Sequence, residues 1–375
     1  MNFDFSDDQK LLKDQAAKFL ADKCKPEHVR KILESDAPYD EALWKGLSDM
    51  GFLGTTVPEA YGGLGLGYLE LCVIAEELGR ACAPVPFSSS VYLAAEAINR
   101  FGSEAQKQAW LPKLASGEAI GCFAMGEGVQ AASPRTIKSK LSGGKLSGTK
   151  LPVADGDVAQ VAVVLARTGS GSGEGDMTLA LVDLSGSGIA RQTISTLDPT
   201  RSHAKIVFDN APAEVLGKEA EGWAATQEVL DAAAVLFAFE QLGGTQAALE
   251  MARDYALERY AFGRQIGSYQ AIKHKLADMY VKLELARGHC YYGAWALSTN
   301  STELPLAAAG ARVAATEAFR FAAQENIQTH GGIGYTWEAN TQFYYRRSKL
   351  LALTLGAAAQ WKERIVRQLE QKNAA

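Results

Sequence analysis

The sequence predicts an α+β fold in which helices, strands and helices follow one another in three blocks. Three observations carry that expectation. Apolar residues recur with a helical period up to about residue 118 and again from about residue 219. Between them, short β-prone runs are separated by turns rich in glycine and serine. The two kinds of segment are segregated along the chain, which argues against a doubly wound parallel sheet. The 375 residues exceed what one core usually holds. The expected units are a helical domain over 1–118, a middle β-barrel or sandwich domain over 119–218 and a four-helix bundle over 219–375.

Taken in order, the first helix is expected to start after Ser6, an N-cap residue, with Leu11, Leu12, Ala16, Phe19 and Leu20 in its apolar pattern. A second runs from Asp40 to Met50 and stops at Gly51. VPEAYGGLGLG (57–67) is turn-rich, and a helix resumes over Leu69–Gly79. Trp110, Leu111 and Leu114 lie on a short helix ending near Gly117. The strand candidates are Gly121–Met125, Val158–Arg167, Met177–Leu184 and Ala204–Asp209. LSGGKLSG (141–148) and TGSGSGEGD (168–176) are the intervening turns, the second reading as a mobile hairpin tip. From Gly222 on, long amphipathic stretches are punctuated at Gly243–Gly244, Gly263–Gly267, 298–305 and Gly331–Gly334.

Composition narrows the function. A net charge of −5 argues against a nucleic-acid binder. The five cysteines form no C-x-x-C pair, which fits a reducing compartment. The acidic start MNFDFSDDQK and the shortness of every apolar run point to a cytoplasmic protein with neither signal peptide nor membrane span. His28, His203, His274, His289 and His330 are dispersed, so no metal is expected. A dinucleotide fingerprint, a P-loop, H-E-x-x-H and G-x-S-x-G are all missing.

Two stretches carry chemistry. RYAFGRQIGSYQAIKHKLADM (259–279) sets Arg259 and Arg264, planar forks suited to phosphate or carbonyl oxygens, beside Phe262, a flat face for a ring system. QTHGGIGYTWE (328–338) follows an amide with glycines that let a backbone approach a ligand closely. Taken singly, the first reads better as a helix break with a solvated arginine and the second as a helix C-cap with a turn. Together and in this order they resemble the acyl-CoA dehydrogenase family. DFSDDQKLLKD (4–14), VPEAYGGLGLGYLE (57–70), EELGRACAPVPF (76–87) and GSEAQKQAWLPKLASGE (102–118) extend the resemblance over nearly the whole chain.

The resemblance implies an acyl-CoA dehydrogenase-like fold and a flavoprotein oxidoreductase, a dimer or tetramer with FAD bound across a subunit interface. It implies that Arg259, Phe262, Ile266, Tyr269 and Gln270 reach the FAD of a neighbouring subunit. Gln328, Gly331 and Gly332 would contact the adenosine–pyrophosphate part, and Phe123, Met125 and Gly126 would line the flavin ring. Acyl-CoA is the implied substrate, from fatty acid or steroid side-chain degradation, with Asp231 as a substrate contact and an electron-transfer flavoprotein as acceptor. The chemistry takes an α-proton to a base while the β-hydride leaves to flavin N5. A desolvated carboxylate suits that task.

The chain departs from the family where that base belongs. The expected glutamate position holds Leu355, in LALTLGAAAQ (351–360), with Ala357 and Ala359 in place of a threonine and a glutamine. The second family position falls on Ala233, beside Ala234 where an arginine is usual. Thr-Glu-Pro becomes Gly126-Glu127-Gly128, and Trp-Ile-Thr becomes Pro152-Val153-Ala154. Glu240, closing the apolar run AAAVLFAF (232–239), is the candidate base; the plainer reading is a buried carboxylate paired with an arginine of the bundle. The chain is therefore expected to be an FAD-dependent acyl-CoA dehydrogenase or, alternatively, a non-catalytic or half-site partner subunit assembled with a paralogous chain. A repurposed or DNA-associated member is disfavoured by the acidic balance.

Overall fold

Helix formation follows the caps. In the computed structural model, which describes residues 5–374, Ser6 Oγ accepts the Gln9 N–H at 3.3 Å. The Gln9 side chain accepts the Ser6 N–H at 2.9 Å, completing a reciprocal cap on α1 (Asp7–Lys23). Residues 1–4 of the acidic start lie outside the described residues. α2 (Pro26–Leu33) precedes α3 (Glu41–Asp49), which Asp40 caps and Gly51 ends at φ +75°. α4 (Tyr68–Arg80), a π-helical stretch over Ser88–Ala95 running into α5 (Glu96–Phe101), and α6 (Glu104–Ala115) complete the first block.

The middle block is one eight-stranded sheet. β1 (Gly121–Ala124), β2 (Lys140–Ser142), β3 (Lys145–Ala154), β4 (Val161–Arg167), β5 (Met177–Asp183), β6 (Ile189–Thr193), β7 (His203–Pro212) and β8 (Glu214–Leu216) run in the order β6-β7-β3-β2-β4-β5-β8, with β1 also on β4. It is mixed, because β1 and β2 both pair with β4 in parallel while the other pairings are antiparallel. The sequence marked β4 and β5, whose residues are buried almost end to end. It missed β2, β3, β6 and β8, which carry polar or exposed positions. Gly143 and Gly144, read as loop, form the two-residue turn between β2 and β3, at φ +54° and +69°. In the glycine-rich 168–176 tip the Asp176 carboxylate accepts the N–H groups of Gly171 and Gly173 at 2.9 and 2.8 Å.

The last block holds three long helices, α7 (Gly222–Glu258), α8 (Gln270–Ser298) and α9 (Leu304–His330), and two shorter ones, α10 (Thr341–Leu353) and α11 (Ala358–Ala374). A small hairpin, β9 (Tyr260–Ala261) with β10 (Arg264–Gln265), joins α7 to α8. By compactness the chain divides into two units of non-contiguous segments. One takes the described residues up to Lys31, Tyr68–Ala83 and the chain from Ala234; the other takes Ile32–Gly67 and Pro84–Ala233. No described helix is long and apolar enough to cross a membrane.

Within the first unit α4 and α7 touch through glycine. A Cβ built on Gly79 would lie 1.8 Å from the Glu240 carbonyl oxygen, and one on Gly243 would lie 1.8 Å from that of Glu76. Each helix thus offers a glycine to the other's backbone. Charges gather beside this crossing. Lys13 Nζ lies 2.6 Å from Glu76 and 3.8 Å from Glu77, and Arg287 lies 3.2 Å from Glu76. Burial raises the Glu77 carboxyl to about 6 from its ordinary 4.5, outweighing Lys13. A raised folded-state value costs stability above about 6 and costs nothing below about 4.5. Glu77→Gln is therefore expected to stabilise the protein by about 1–2 kcal/mol at pH 7.5. Urea titrations across pH should show that gain vanish towards pH 4.5; a gain independent of pH would refute the assignment.

Candidate active site

The Arg259 segment breaks the helix between α7 and α8, as the sequence suggests, and does so through a β-hairpin with a two-residue turn. Phe262 and Gly263 occupy its turn at φ +53° and +79°, the doubly positive geometry that suits the twist of the flanking strands. Phenylalanine is strained there, and its ring is 97% exposed. The Ile266 N–H donates to the Arg259 carbonyl at 2.8 Å. Tyr269 braces the turn: its hydroxyl donates to the Ala261 carbonyl at 2.9 Å, and Arg264 lies 4.0 Å over its ring. Arg259 is exposed, as is Gln270 at the start of α8, while Ile266 is half-buried.

Gln328, Gly331 and Gly332 come together at the end of α9. Gly331 has φ +63° and ψ −138°, a conformation open to glycine and little else. A Cβ on Gly331 or Gly332 would meet nothing within 4 Å, and Gln328 and Gly332 are exposed. The backbone is open to close approach there, which fits the pyrophosphate of a dinucleotide. Arg30 holds the following segment, donating to the carbonyls of Trp337 and Glu338 at 2.5 and 3.0 Å and to Asn340 Oδ1 at 2.9 Å. His330 stacks on Tyr255 with ring centroids 4.2 Å apart, and burial lowers its pKa.

Glu240 lies elsewhere in the same unit, in the core. It is 1% exposed and sits 3.5 Å from Arg347, whose side chain is fully buried. Arg347 also donates to the Ala83 carbonyl at 3.3 Å. One residue on, the Gln241 side chain accepts from Arg312 at 2.6 Å and donates to Thr316 at 3.2 Å. Arg312, itself buried, donates to the Leu351 carbonyl and, at 2.5 Å, to that of Thr354. Those carbonyls close α10 just before Leu355, which has φ +63° and accepts a hydrogen bond from Trp361 Nε1 at 3.2 Å. The position where a base was expected is thus a strained leucine in a turn fixed by buried groups. Desolvation pushes Arg312 down to about 10, with Glu240 opposing. Sequence reasoning singled out neither Arg312 nor Arg347. A signal existed for Arg312, since it shares the helical spacing of the buried Ala308, Ala311 and Ala315.

In the second unit, Phe123, Met125 and Gly126 lie on β1 and its exit, each half-buried. The exit is pinned to β3: the Leu151 N–H donates to Gly126 O and the Gly128 N–H donates to Leu151 O, both at 2.9 Å. Glu127 between these glycines accepts from Lys150 at 2.7 Å and from the N–H groups of Lys138 and Ser139 at 2.7 and 3.0 Å. Burial alone would raise the Glu127 carboxyl, but Lys150 outweighs it and holds it below the usual range. Burial takes the Lys150 ammonium down to about 8, with Glu127 opposing. Asp231, on α7, is 5% exposed. Among the described residues no group of His, Cys, Asp and Glu side chains is arranged to hold a metal ion.

Comparison with known proteins is decisive. The acyl-CoA dehydrogenase N-terminal domain matches residues 6–118 and the acyl-CoA dehydrogenase C-terminal domain matches residues 220–370. Isovaleryl-CoA dehydrogenase of Solanum tuberosum is 34% identical over 366 residues, covering 94% of this chain and 88% of the relative. The chain belongs to the acyl-CoA dehydrogenase family. Among solved structures, butyryl-CoA dehydrogenase of Megasphaera elsdenii aligns with a TM-score of 0.90 at 26% identity, over 98% of this chain and 100% of that one. The ChsE4–ChsE5 complex of Mycobacterium tuberculosis aligns with a TM-score of 0.89 at 29% identity, over 99% of both chains. Acyl-CoA dehydrogenases are flavin-dependent oxidoreductases, and the helical start, central sheet and helical end described above are theirs.

Proposed function

We propose that this acyl-CoA dehydrogenase family member performs the α,β-dehydrogenation of an acyl-CoA thioester with FAD. The open glycine backbone at Gly331–Gly332 is the observation that supports it most directly. FAD, when bound, supplies the acceptor for the hydride leaving the β-carbon. Gln328, Gly331 and Gly332 hold its adenosine–pyrophosphate end. The hairpin of Arg259 and Phe262, with Ile266, Tyr269 and Gln270, is offered to the cofactor of a second subunit in a dimer or tetramer. Phe123, Met125 and Gly126 line the ring, and Asp231 orients the thioester. Glu240 is the base assigned to the α-proton, which requires Arg347 to release its carboxylate. An electron-transfer flavoprotein is the acceptor, and the cytoplasm is the site of action.

A second reading rests on the Leu355 turn and on the Glu240–Arg347 pair. Neither family position holds a carboxylate, and the candidate base is engaged by a buried cation. A half-site subunit, working beside a paralogous catalytic chain, has no need of its own base. The visible spectrum of the chain purified alone separates the two. One flavin per chain, bleached anaerobically by an acyl-CoA thioester, is the expected result. Colourless protein that gains flavin only with a second chain would establish the partner reading instead. Folded Glu240→Gln protein that still turns over at the parent rate would remove Glu240 from the mechanism.

A further inference from the structure

The second unit holds a buried polar frame that the proposed chemistry does not use. Its centre is the π-helical stretch Ser88–Ala95, whose residues are all buried. Such backbone is rare, is mostly confined to single turns and recurs near functional sites. Three successive serines open it, and each is hydrogen-bonded to a different part of the sheet. Arg201 Nη1 donates to Ser88 Oγ at 2.6 Å, and Ser89 Oγ donates to Asp155 Oδ2 at 2.6 Å. The Gly121 N–H donates to Ser90 Oγ at 3.1 Å. Gly121 opens β1, Asp155 follows β3 and Arg201 precedes β7. The three serines, Asp155 and Arg201 are at most 5% exposed.

These bonds close a loop around the residues assigned to the flavin ring. β1 is held at its start by Ser90, and its exit is held by Leu151 of β3 through Gly126 and Gly128. β3 is held in turn just past its end, where Asp155 meets Ser89. The π-helix also lies close on β1, since a Cβ built on Gly121 would stand 2.4 Å from that of Ala94. Phe123, Met125 and Gly126 thus lie on a segment gripped at both ends. Asp155 is the strained member, a buried carboxylate at φ +54°, where residues other than glycine are uncommon. Its N–H donates to the Ser202 carbonyl at 2.8 Å. Burial raises its carboxyl, with the Arg201 charge opposing. A buried charge adds little net stability even when it is paired, whereas a satisfied polar network holds its parts in one arrangement.

We infer that Ser89 and Asp155 are positioning residues for the cofactor, holding the exit of β1 in the arrangement offered to the flavin ring. The frame belongs to the chain itself; its role towards the ring rests on the FAD reading above.

Ser89→Ala and Ser90→Ala, with Thr55→Val as control, test the inference in the full chain. Thr55 is buried in the same unit, and its hydroxyl donates locally to the Phe52 carbonyl at 2.8 Å. Hydrogen exchange, read without cofactor, should show the Gly128 and Leu151 amides opening about tenfold faster in Ser89→Ala, on the scale of one lost hydrogen bond to a charged group. FAD affinity, followed by the visible spectrum and flavin fluorescence, should fall by about the same factor. Ser90→Ala, which releases the other grip, should show both effects at about severalfold, as for a bond between neutral groups. Thr55→Val should leave both at the parent values. Parent-like exchange in both serine variants would overturn the frame. Faster exchange with unchanged FAD affinity would overturn the role towards the cofactor. If the parent chain takes up no FAD, the FAD reading falls and that role with it, while the exchange result still upholds or overturns the frame.

Discussion

Arg347→Met, with Glu240 left in place, is expected to destabilise the protein by about 3–5 kcal/mol, because it strands a buried carboxylate without its cation. Glu240→Gln should cost a comparable amount by stranding Arg347, which is fully buried and 3.5 Å away. The double substitution should be less destabilised than the two single costs added together, since it removes both members of the ion pair and leaves Arg312 to its Gln241, Leu351 and Thr354 acceptors. Some loss remains, because Arg347 also donates to the Ala83 carbonyl. Urea denaturation of the four proteins measures the cycle, and additive costs would show that the pair is not coupled. The same cycle bears on catalysis. A strong coupling means that freeing Glu240 to act as a base carries a structural cost, which the half-site reading avoids.

Gly79→Ala and Gly243→Ala are each expected to cost about 3 kcal/mol or more. A methyl at either place would stand 1.8 Å from a carbonyl oxygen of the facing helix, so α4 and α7 must separate along their contact. Gly288→Ala is the control: this glycine lies within α8, is exposed, and its Cβ would meet nothing within 4 Å. It is expected to stabilise by about 0.5–1 kcal/mol through helix propensity alone. Thermal melts of the three variants decide the matter. If Gly79→Ala melted with Gly288→Ala, the close crossing described here would be wrong.

The candidate site was legible in part. The two motifs identify segments that the structure places in particular geometries, and the glycines at 331 and 332 leave the backbone open on one side. The hairpin at 260–265 was not legible, because Phe262 at φ +53° breaks the rule that reserves such turns for glycine, asparagine and aspartate. Glu240 was readable as a buried carboxylate facing some arginine of the bundle. Which one it faces was not, because α10 lies about a hundred residues further along the chain and local periodicity says nothing of which helices meet.

What the sequence determined by itself was set by local rules. Caps such as Ser6 and Asp40, glycine stops such as Gly51, the apolar runs of β4 and β5, and the change of period near 118 and 219 act within a few residues. They set the order of the helical and sheet blocks and the places of the most buried strands. Tertiary structure alone decided that β1 and β2 run parallel to β4, that Tyr68–Ala83 packs with the chain beyond Ala234, and that Arg347 meets Glu240 and Arg312 meets the end of α10. These choices depend on which buried charges and glycines come face to face, and burial is a property of the assembled core rather than of any one segment.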